Sequence, residues 1–319
     1  MMVSPFRVRV PASSANLGPG FDCLGLALGL YHELLVEPLS ERRDPIPEVH
    51  MNLLGEGADT LSTSTDNMVV RTLLEVLAAD GYDGPDLQLT SANDVPLARG
   101  LGSSAVAYLA GAAAGQWLSK GAIDRHALLE GGREREGHAD NVAPCVLGGI
   151  TVACTTPTGV QCIRLAPPND VEAVLAVPDF SLSTSNSRNV LPRQVSRDDA
   201  VHTVSRACLL IAALARGCPE ALHTAMADER LHEPYRESLV PGLPQVREAS
   251  LAAGAWGAAL SGAGPAVLAL SPSAAKADVG AAMAQAWQAQ NVTCTILHLP
   301  VVADGLQVHA QTEEDTKTL

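Results

Sequence analysis

The sequence predicts an α+β protein. Stretches in which apolar and polar residues alternate, the pattern of a half-buried strand, are interspersed with stretches in which apolar residues recur at helical spacing. Because both patterns occur in each half of the chain, we expect both halves to combine sheet and helix. A chain of 319 residues is long enough for two domains, or for one large domain, with a substantial core.

In the first half, residues 6–10 alternate between apolar side chains and arginine, which predicts a half-exposed first strand. Further strands are predicted at 24–36, 86–90 and 145–154. A helix is predicted directly after Thr65-Asp66, which supplies a residue that can cap the N-terminus of that helix. The apolar positions that would pack this helix on the sheet are 69, 70, 73, 74 and 77. Two more helices are predicted, one over 105–118 and one opened by Asp124.

The second half carries the same two patterns. Strands are predicted at 171–178, 255–260, 266–271 and 293–299. Helices are predicted at 198–216, 219–230, 244–253 and 274–288. The proline-rich Ala166-Pro167-Pro168-Asn169 separates the halves, so we predict one domain over 1–165 and a second over 166–319.

Composition excludes several kinds of partner. The net charge is −14 and the isoelectric point about 5.0, which argues against nucleic acid or an anionic membrane surface. Aromatic residues make up 3% of the chain, too few for the stacking surfaces that single-stranded nucleic acid needs. Glycines and charged residues break the apolar runs well short of a membrane span. Any anionic ligand must therefore be held by local groups.

Cysteine usage and the N-terminus indicate the compartment. The seven cysteines are scattered singly, with no C-x-x-C pair, which is typical of reduced thiols packed in a cytosolic protein. Residues 1–10 carry Arg7 and Arg9 in a strand pattern, which is unlike a signal peptide. We therefore predict a cytoplasmic protein.

The most informative stretch is the glycine-rich loop at 96–105, PLARGLGSSA. Gly100 and Gly102 allow backbone conformations closed to other residues and let amide N–H groups approach an anion. Ser103 and Ser104 stand where the next helix would begin, so free amides and a positive dipole end would face that anion. The loop fits a phosphate cradle, and an ordinary helix start preceded by glycine fits the same residues.

Two familiar glycine-rich loops fit less well. A P-loop requires a lysine before its Ser or Thr, and here Gly102 precedes the hydroxyls while the next lysine is Lys120. The dinucleotide pattern G-x-G-x-x-A is matched by the loop, and Asp124 follows at about the right distance. Two features argue against a dinucleotide site. Asp124 opens a predicted helix and does not end a second strand. The loop is preceded by Asp94-Val95-Pro96 and not by a buried apolar strand.

Two further segments are dense in polar groups. Residues 11–22 (PASSANLGPGFD) follow the first strand and either form a structured turn or hold Asn16 and Asp22 near each other. The charges of 130–141 (EGGREREGHADN) suit a solvated helix face. After the break at Gly137, however, His138, Asp140 and Asn141 stand where side chains can converge on a site, although a lone histidine is more often structural.

Two arginines each end a polar turn, Arg188 in STSNSR and Arg236 in HEPYR. The planar guanidinium matches a carboxylate through two parallel hydrogen bonds, so the two together could hold one carboxylate ligand. In a chain with 35 acidic residues, either could equally pair with a neighbouring Asp or Glu. Between two predicted strands, 260–266 (LSGAGPA) forms either a tight turn or a close approach to a ligand.

Taken in order, these segments resemble the GHMP kinase superfamily over nearly the whole chain. Residues 96–106 match its nucleotide loop P-x-x-x-G-L-G-S-S-A, and 260–266 match its C-terminal glycine motif. Four other motifs resemble the branch of the superfamily that acts on L-homoserine. They are PASSANLGPGFDCLG, HADNVAPCVLGG, T-x-x-x-R-x-x-L-P at Thr184 to Pro192, and HEPYR.

The resemblance implies a two-domain GHMP kinase fold, with an N-terminal ribosomal-protein-S5-like α/β domain for nucleotide binding and a C-terminal ferredoxin-like α+β domain. It implies ATP-dependent phosphorylation of the side-chain hydroxyl of L-homoserine to O-phospho-L-homoserine, in threonine biosynthesis. A homodimer is implied by the same analogy. A GHMP kinase for another small alcohol, and a catalytically silent ATP- or amino-acid-binding regulator, stay open as alternatives.

The resemblance also implies the roles of individual residues. ATP is held by Pro96, Leu97, Ala98, Arg99, Gly100, Leu101, Gly102, Ser103, Ser104, Ala105 and Val106. Mg²⁺ is held by Ser104 and Glu130. The substrate is bound by Asn16, Asp22, His138, Asn141, Arg188, Arg236 and Gly262. Within that set, the two arginines would hold the substrate carboxylate and Asp22 the ammonium.

Phosphoryl transfer requires mainly alignment and charge stabilisation. Some GHMP kinases place an aspartate where Asn141 aligns, and an amide cannot accept a proton as a carboxylate could. We therefore predict that Asn16 and Asn141 orient the hydroxyl and that Thr184 approaches the transferring phosphoryl group. A phosphate oxygen or solvent then takes the proton, although Asp140 is an available carboxylate.

Overall fold

The computed structural model of the chain describes residues 4–39 and 47–310. Within these ranges the strands are β1 (Phe6–Ala15), β2 (Leu24–Pro38), β3 (Val49–Gly55), β4 (Leu87–Asn93), β5 (Ile150–Thr156), β6 (Gly159–Leu165), β7 (Val171–Pro178), β8 (Gly257–Leu260), β9 (Val267–Pro272), β10 (Cys294–Pro300) and β11 (Gln307–Ala310). The helices are α1 (Met68–Ala79), α2 (Ser103–Lys120), α3 (Arg125–Glu136), α4 (Val142–Leu147), α5 (Thr184–Asn189), α6 (Arg197–Arg216), α7 (Glu220–Met226), α8 (Glu233–Arg236), α9 (Leu243–Ala252) and α10 (Lys276–Gln288). A short 3-10 turn, Glu237–Leu239, follows α8.

The first sheet runs in the order β11-β1-β2-β4-β3, and β5 pairs with β2 and with β6. Its neighbouring strands are antiparallel except β3 and β4. That pair is parallel because α1 lies between the two strands in the chain and provides the long connection that parallel strands need. β11 returns from the C-terminal half to the edge of β1, so both ends of the described chain contribute to this sheet.

Helix α2 is largely buried between the first sheet and α1. Its sequence is rich in alanine and glycine, and the small side chains let neighbouring backbones approach closely. A Cβ added at Gly111 or Gly115 would collide with α1, at the carbonyl of Val69 and the side chain of Val76. Close packing therefore holds α2 in place, and its N-terminus is directed at the loops described below.

The second sheet has the order β10-β7-β9-β8 and is antiparallel throughout. Along β7, Val174 and Ala176 pack with α9 and α10 in one core, while Ala173, Leu175 and Val177 join the larger core shared with the first sheet. Successive side chains of a strand point to opposite faces, so this sheet is covered on both sides.

The predicted α+β class is confirmed, and most predicted helices and strands lie within a few residues of their observed bounds. The strand predicted over 145–154 is partly wrong. Residues up to Leu147 belong to α4, and the strand begins only at Ile150, after Gly148 and Gly149 with φ of 74° and 68°. The helix predicted after Thr65-Asp66 starts instead from Asn67, whose side chain accepts a hydrogen bond from the Val69 amide.

The domain division at 165/166 stays a prediction. β6 ends at Leu165 and β7 opens the second sheet, but β11 adds a late strand to the first sheet. All seven cysteines are free thiols in the structure. Among the described helices, none is both long enough and apolar enough to cross a bilayer.

Candidate active site

Loops from both halves of the chain line a cleft of about 830 Å³. From the first half come the connections after β1, β4 and α3, and from the second half α5, the end of α8 and the β8–β9 turn. The predicted ligand-binding and catalytic residues that line it are Asn16, Asp22, His138, Asn141, Thr184, Arg188, Arg236 and Gly262. Folding thus brings together groups that lie up to 246 positions apart, as the hydrogen bond from Asn16 Nδ2 to the Gly262 carbonyl shows.

The N-terminus of α2 presents unused hydrogen-bond donors to this cleft. Gly102 caps the helix with a left-handed φ of 73°, and no side chain of the described ranges bonds to this end. Within the described residues, the backbone amides of Ser103, Ser104 and Ala105 have no acceptor. Free amides at the positive end of a helix form an anion site, so this end of the cleft fits the phosphates of a nucleotide.

The glycines of the two loops are explained by how closely the loops pack. Ser261 Oγ donates a 2.7 Å hydrogen bond to the Gly100 carbonyl, and the Ala266 amide donates to the Arg99 carbonyl at 3.1 Å. A Cβ at Gly100 would collide with the Ser261 carbonyl, and Gly100 has a left-handed φ of 83°. The glycine motif of 260–266 therefore packs directly against the nucleotide loop and supports it.

The structure divides the predicted nucleotide loop into three groups. Ala98, Gly100 and residues 102–105 line the cleft. Leu101 and Val106 are buried in the core. Pro96, Leu97 and Arg99 instead border a second cavity of about 1550 Å³, where the guanidinium of Arg99 donates to the carbonyls of Leu97, Pro178 and Asp179. The side chain of Arg99 therefore links the two halves of the chain and is not available to phosphates in the cleft.

A hydroxyl and a carboxylate meet beside the free amides. Ser104 Oγ donates a 2.6 Å hydrogen bond to Oε1 of Glu136, the last residue of α3, and both residues line the cleft. Hard oxygen donors of this kind suit Mg²⁺, which needs few protein ligands because it keeps waters and phosphate oxygens. The Ser104–Glu136 pair therefore fits the metal.

The expected pairing of Ser104 with Glu130 is not what the structure shows. The Glu130 carboxylate accepts a hydrogen bond from the Val160 amide on β6 and pairs with Arg133 at 3.2 Å. These two contacts lower the pKa of Glu130, with the Val160 amide the larger cause. Because Glu130 and Glu136 are about 1.7 helical turns apart, they face different neighbours, and only Glu136 faces α2.

The loop after β1 holds three residues other than glycine in the left-handed region: Asn16 (φ 72°), Leu17 (52°) and Asp22 (57°). Such conformations are unfavourable and are retained where surrounding contacts fix them. The side chain of Asn16 supplies those contacts, because its Oδ1 accepts from the Asp22 amide at 3.0 Å while its Nδ2 donates to Gly262 at 2.8 Å. The loop thus turns Asp22 into the cleft.

Arg188 and Asp22, expected to bind opposite ends of the substrate, bind each other. Nη2 of Arg188 donates to Oδ1 of Asp22 at 2.7 Å, and Nη1 donates to Oδ2 at 3.2 Å. Burial disfavours the charged guanidinium, but the bond to Asp22 outweighs it and raises the pKa of Arg188. The ion pair therefore orients both side chains at the cleft.

Arg236 is a buried guanidinium that forms no ion pair with any acidic residue in the described ranges. Only 1% of it is exposed, and it donates to the carbonyls of Ser187 and Gly262, each at 3.2 Å. Burial, and then the charge of Arg188, lower the pKa of Arg236. Among the described residues, its Nη2 makes no hydrogen bond. The nearby charges of Asp22, Glu233 and Glu229 offset the cost of this burial only in part, so the site favours an anionic ligand.

The HEPYR segment is held in place by its own side chains. His232 Nε2 contacts the Gly18 carbonyl at 2.9 Å. The buried Glu233 accepts from the Leu260 amide at 2.7 Å and from Arg247 at 2.6 Å. These bonds tie α8 to the loop after β1 and to β8, which places Arg236 at the cleft.

Phe21 lies against both arginines. Its ring centroid is 5.8 Å from Cζ of Arg188 and 5.4 Å from Cζ of Arg236, within the range of cation–π attraction. The same ring stacks on His232 at 4.9 Å. Phe21 therefore supports the two guanidinium groups, a role that the sequence analysis did not assign to it.

His138, Asp140 and Asn141 form a connected group. Oδ1 of the buried Asp140 accepts from His138 Nδ1 and from the Asn141 amide. Burial opposes protonation of His138, but its bond to Asp140 and the charges of Asp140 and Asp22 outweigh burial and raise its pKa. His138 Nε2 is buried at the cleft without a partner among the described residues. One ligand atom each from Asp22, His138 and Asp140 lie within 4.8 Å of one another, so two carboxylates and an imidazole meet in this corner of the cleft.

Asn141 is fixed from the other side by Ser13. Ser13 Oγ donates to Asn141 Oδ1 at 3.0 Å, which leaves Nδ2 of the amide as a donor. Together with Glu136 and Phe21, Ser13 is a residue of the site that sequence reasoning missed. Phe21 directly precedes Asp22, Glu136 lies two positions before His138, and Ser13 lies in the polar segment 11–22.

Comparisons with known proteins show the family of this chain. The family profile described as GHMP kinases N terminal domain matches residues 67–149, and that described as GHMP kinases C terminal matches residues 210–289. A homoserine kinase of Desulfitobacterium hafniense is 39% identical over 302 residues, which cover 95% of this chain and 99% of that relative. The chain belongs to the homoserine kinase family.

A second member of the homoserine kinase family, from Deinococcus radiodurans, is 47% identical over 264 residues, 83% of each chain. The crystal structure of homoserine kinase from Cytophaga hutchinsonii matches with a TM-score of 0.84 at 29% identity, covering 97% of this chain and 98% of that one. An L. major mevalonate kinase in complex with R-mevalonate matches with a TM-score of 0.70 at 17% identity, covering 93% and 96%, which shows the fold alone. The GHMP kinase fold expected from the sequence is confirmed.

Proposed function

We propose that this chain transfers the γ-phosphoryl group of ATP to the side-chain hydroxyl of L-homoserine, giving O-phospho-L-homoserine in threonine biosynthesis. The observation that supports this most directly is that one cleft combines free amides at a helix N-terminus, two guanidinium groups and the Asp22 carboxylate. Phosphates, an amino-acid carboxylate and an amino-acid ammonium are the ligands that these groups take. The named relatives support the same reaction.

The amino-acid end of the substrate binds at the charged side chains of the cleft. The carboxylate of homoserine bonds to Arg188 and to Arg236, which is buried without an acidic partner. The ammonium bonds to Asp22, beside which the Asp140 carboxylate lies. Asp22 therefore selects an amino acid over a hydroxy acid of the same length, because only the amino acid supplies a cation.

The nucleotide end lies at α2. The amides of Ser103, Ser104 and Ala105 bind phosphate oxygens, and Ser104 with Glu136 holds Mg²⁺. When bound, the metal neutralises charge on the phosphates and on the group being transferred. Because the loop contains no lysine, backbone amides and the helix dipole provide the rest of that stabilisation.

The reaction forms a bond from the homoserine hydroxyl oxygen to the γ-phosphorus and breaks the bond from that phosphorus to the β,γ-bridging oxygen. Asn141 donates from Nδ2 to the hydroxyl. Asn16 holds the loop after β1 against the β8–β9 turn through its bond to Gly262. Thr184, which lines the cleft, approaches the transferring group. None of the three is a base, and Asp140 is already hydrogen-bonded to His138 and Asn141. The proton therefore goes to a phosphate oxygen or to solvent.

The same proposal covers the setting of the enzyme. It acts in the cytoplasm on small molecules, as a homodimer, without a nucleic-acid or membrane partner. Free thiols at all seven cysteines support a reducing compartment, and the net charge of −14 argues against polyanionic partners.

A coupled assay of ADP release tests the proposed reaction. Purified protein with Mg-ATP should turn over L-homoserine and leave mevalonate and galactose unchanged. Two substrate analogues test the two ends of the amino-acid site separately. 4-Hydroxybutyrate lacks the ammonium that Asp22 would bind, and homoserinol lacks the carboxylate that Arg188 and Arg236 would bind. Both should therefore be poor substrates. Turnover of a different alcohol would assign another GHMP kinase activity, and no turnover with any alcohol would indicate a silent binding protein.

A further inference from the structure

The β8–β9 turn bonds to both ends of the cleft through neighbouring residues. Ser261 donates from its hydroxyl to the carbonyl of Gly100 in the nucleotide loop, at 2.7 Å. The next residue, Gly262, presents its carbonyl to the amino-acid end, where it accepts from Asn16 Nδ2 at 2.8 Å and from Arg236 Nη1 at 3.2 Å. One peptide unit therefore separates a contact to the phosphate end from a contact to the carboxylate end.

Arg236 reaches the same turn by a second route. Its Nε donates to the Ser187 carbonyl at 3.2 Å, and the hydroxyl of Ser187 donates to the Ala263 carbonyl at 2.9 Å. The guanidinium that would bind the homoserine carboxylate is thus bonded to the turn at Gly262 directly and at Ala263 through Ser187. A change in the position of Arg236 therefore acts on the turn at two successive residues.

Ser261 is the middle member of a chain of buried hydroxyls. Ser14 and Ser261 are both fully buried, and their Oγ atoms are 2.8 Å apart. A serine hydroxyl carries one proton, and Ser261 gives its proton to the Gly100 carbonyl, so Ser14 donates to Ser261. Bonds in such a chain strengthen one another, and a buried hydroxyl left unpaired is costly. The chain therefore fixes the turn against the nucleotide loop.

The turn and the nucleotide loop also have little room to move separately. The Ala266 amide donates to the Arg99 carbonyl at 3.1 Å. A Cβ added at Gly100 would collide with the Ser261 carbonyl oxygen, and a Cβ added at Gly262 would lie 3.3 Å from the Gly100 carbonyl oxygen. Close-packed backbones transmit a displacement from one segment to the other. The order of the loop that ends at the free amides of α2 thus depends on the order of the turn.

We propose that Ser261 is a positioning residue that couples the two substrate sites, so that bound homoserine raises the affinity for ATP. By thermodynamic reciprocity, bound ATP raises the affinity for homoserine by the same factor. A carboxylate on Arg236 orders the turn, and the Ser261 hydroxyl then orders the nucleotide loop. The second ligand meets a loop that is already ordered and loses less conformational freedom on binding. Ser261 is buried and does not line the cleft, so it acts through Gly100 and touches neither ligand.

Calorimetric titration of the full chain tests the coupling without turnover. The probe is the β,γ-imido analogue of ATP with Mg²⁺, titrated with and without saturating L-homoserine. In the wild type, homoserine should lower the Kd of the analogue by about tenfold. Ser261→Ala should reduce that factor to less than about twofold, while the Kd of each ligand alone changes by less than about threefold. A factor that Ser261→Ala leaves intact would overturn the proposal.

The inference rests on the proposed function for the identity of the two ligands, and the titration separates the two failures. Independent binding of homoserine and the analogue to the wild type would overturn the coupling and leave the proposed reaction in place. A wild type that binds the analogue and no homoserine would overturn both.

Two further serine variants distinguish coupling from a general effect of losing a buried hydroxyl. Ser250, fully buried on α9, donates to the Arg247 carbonyl at 2.7 Å, so Ser250→Ala removes the same kind of bond outside the cleft and should keep the full factor. Ser14→Ala leaves the Ser261–Gly100 bond in place and should reduce the factor to about three- to fivefold. Added to Ser261→Ala, it should have no further effect. Equal loss of coupling in Ser250→Ala would overturn the role of Ser261.

Hydrogen exchange measures the ordering of the nucleotide loop directly. Homoserine alone should slow amide exchange over residues 96–105 in the wild type and should not slow it in Ser261→Ala. Circular dichroism verifies that the variants are folded. Exchange over 96–105 that homoserine leaves unchanged in the wild type would show that the turn does not order the loop.

Discussion

Arg188 and Asp22 form a bidentate ion pair at the cleft, with distances of 2.7 and 3.2 Å, although they lie 166 positions apart in the sequence. The pair joins α5 of the second half to the loop after β1 in the first. A zwitterionic substrate can exchange this single internal pair for two new ones, its carboxylate with Arg188 and its ammonium with Asp22. Without substrate, the ion pair holds both side chains at the cleft.

Removal of the Arg188 guanidinium should therefore weaken the binding of homoserine and leave the binding of ATP unchanged. Arg188→Ala should raise the KM for homoserine about a hundredfold, which corresponds to about 2.7 kcal/mol, because charge-assisted hydrogen bonds to the carboxylate are lost. The KM for ATP should stay within about twofold, since the free amides of α2 bind the phosphates. Steady-state kinetics with each substrate varied in turn measures both values.

Arg230→Ala is the control for this experiment, because Arg230 pairs with Asp228 at 2.6 Å on the surface and does not line the cleft. It should change neither KM. A parallel loss of ATP affinity in Arg188→Ala would contradict the assignment of Arg188 to the homoserine carboxylate.

Glu136 and Glu130 offer a matched comparison on one helix. Glu136→Gln should lower kcat by about 10² to 10³-fold and raise the Mg²⁺ concentration needed for half-maximal activity, because the oxygen donor beside Ser104 loses its charge. Glu130→Gln should leave the Mg²⁺ requirement unchanged, since its carboxylate bonds to β6. Magnesium titrations of the three proteins at saturating homoserine measure the difference. The reverse ranking would restore Glu130 as the metal ligand.

Asp140 distinguishes orientation from base catalysis. Its carboxylate accepts from His138 and from the Asn141 amide, so Asp140→Asn should disturb both and lower kcat by about 10 to 100-fold. The pH dependence of kcat should keep the same shape, because no proton passes to Asp140. A loss of several orders of magnitude with normal homoserine binding would instead identify Asp140 as the general base.

His32 makes stability depend on pH. It lies buried on β2 with Nε2 2.7 Å from Ser91 Oγ, and burial lowers its pKa to about 4. In the unfolded chain the pKa of histidine is about 6.5, so as the pH falls the unfolded chain binds the proton at a higher pH than the folded chain does. The contribution of neutral His32 is therefore complete above about pH 6.5, declines as the pH falls, and is lost at about pH 4.

The expected size of that loss is about 3 kcal/mol of unfolding free energy. Urea unfolding of the wild type and of His32→Gln at pH 7 and pH 4 measures it, because acidic groups common to both proteins cancel in the comparison. Equal pH dependence of the two proteins would show that His32 does not titrate on unfolding.

Local patterns predicted much of the fold. The helix over α1 followed from apolar positions at helical spacing, and the strands β7 to β10 were close to their predicted bounds where strand patterns lacked competing signals. The segment at 145–154 was misassigned in part because a short apolar run suits a helix and a strand equally. Only packing of α4 against β1, β2 and β5 favours the helix there. β11 was not predicted, since its position depends on pairing with β1 at the other end of the chain.

The sequence by itself determined the chemistry of this protein. Glycines, hydroxyls and arginines, in the order that resembles the GHMP kinases, predict a phosphate loop and a site for a zwitterion, because those preferences reside in the residue types and their spacing. The tertiary structure alone decided which groups meet. It placed Glu136 instead of Glu130 beside Ser104, since rotation along α3 separates the two carboxylates. It also paired Arg188 with Asp22 and left Arg236 buried without an acid, because these contacts depend on how the two halves of the chain pack together.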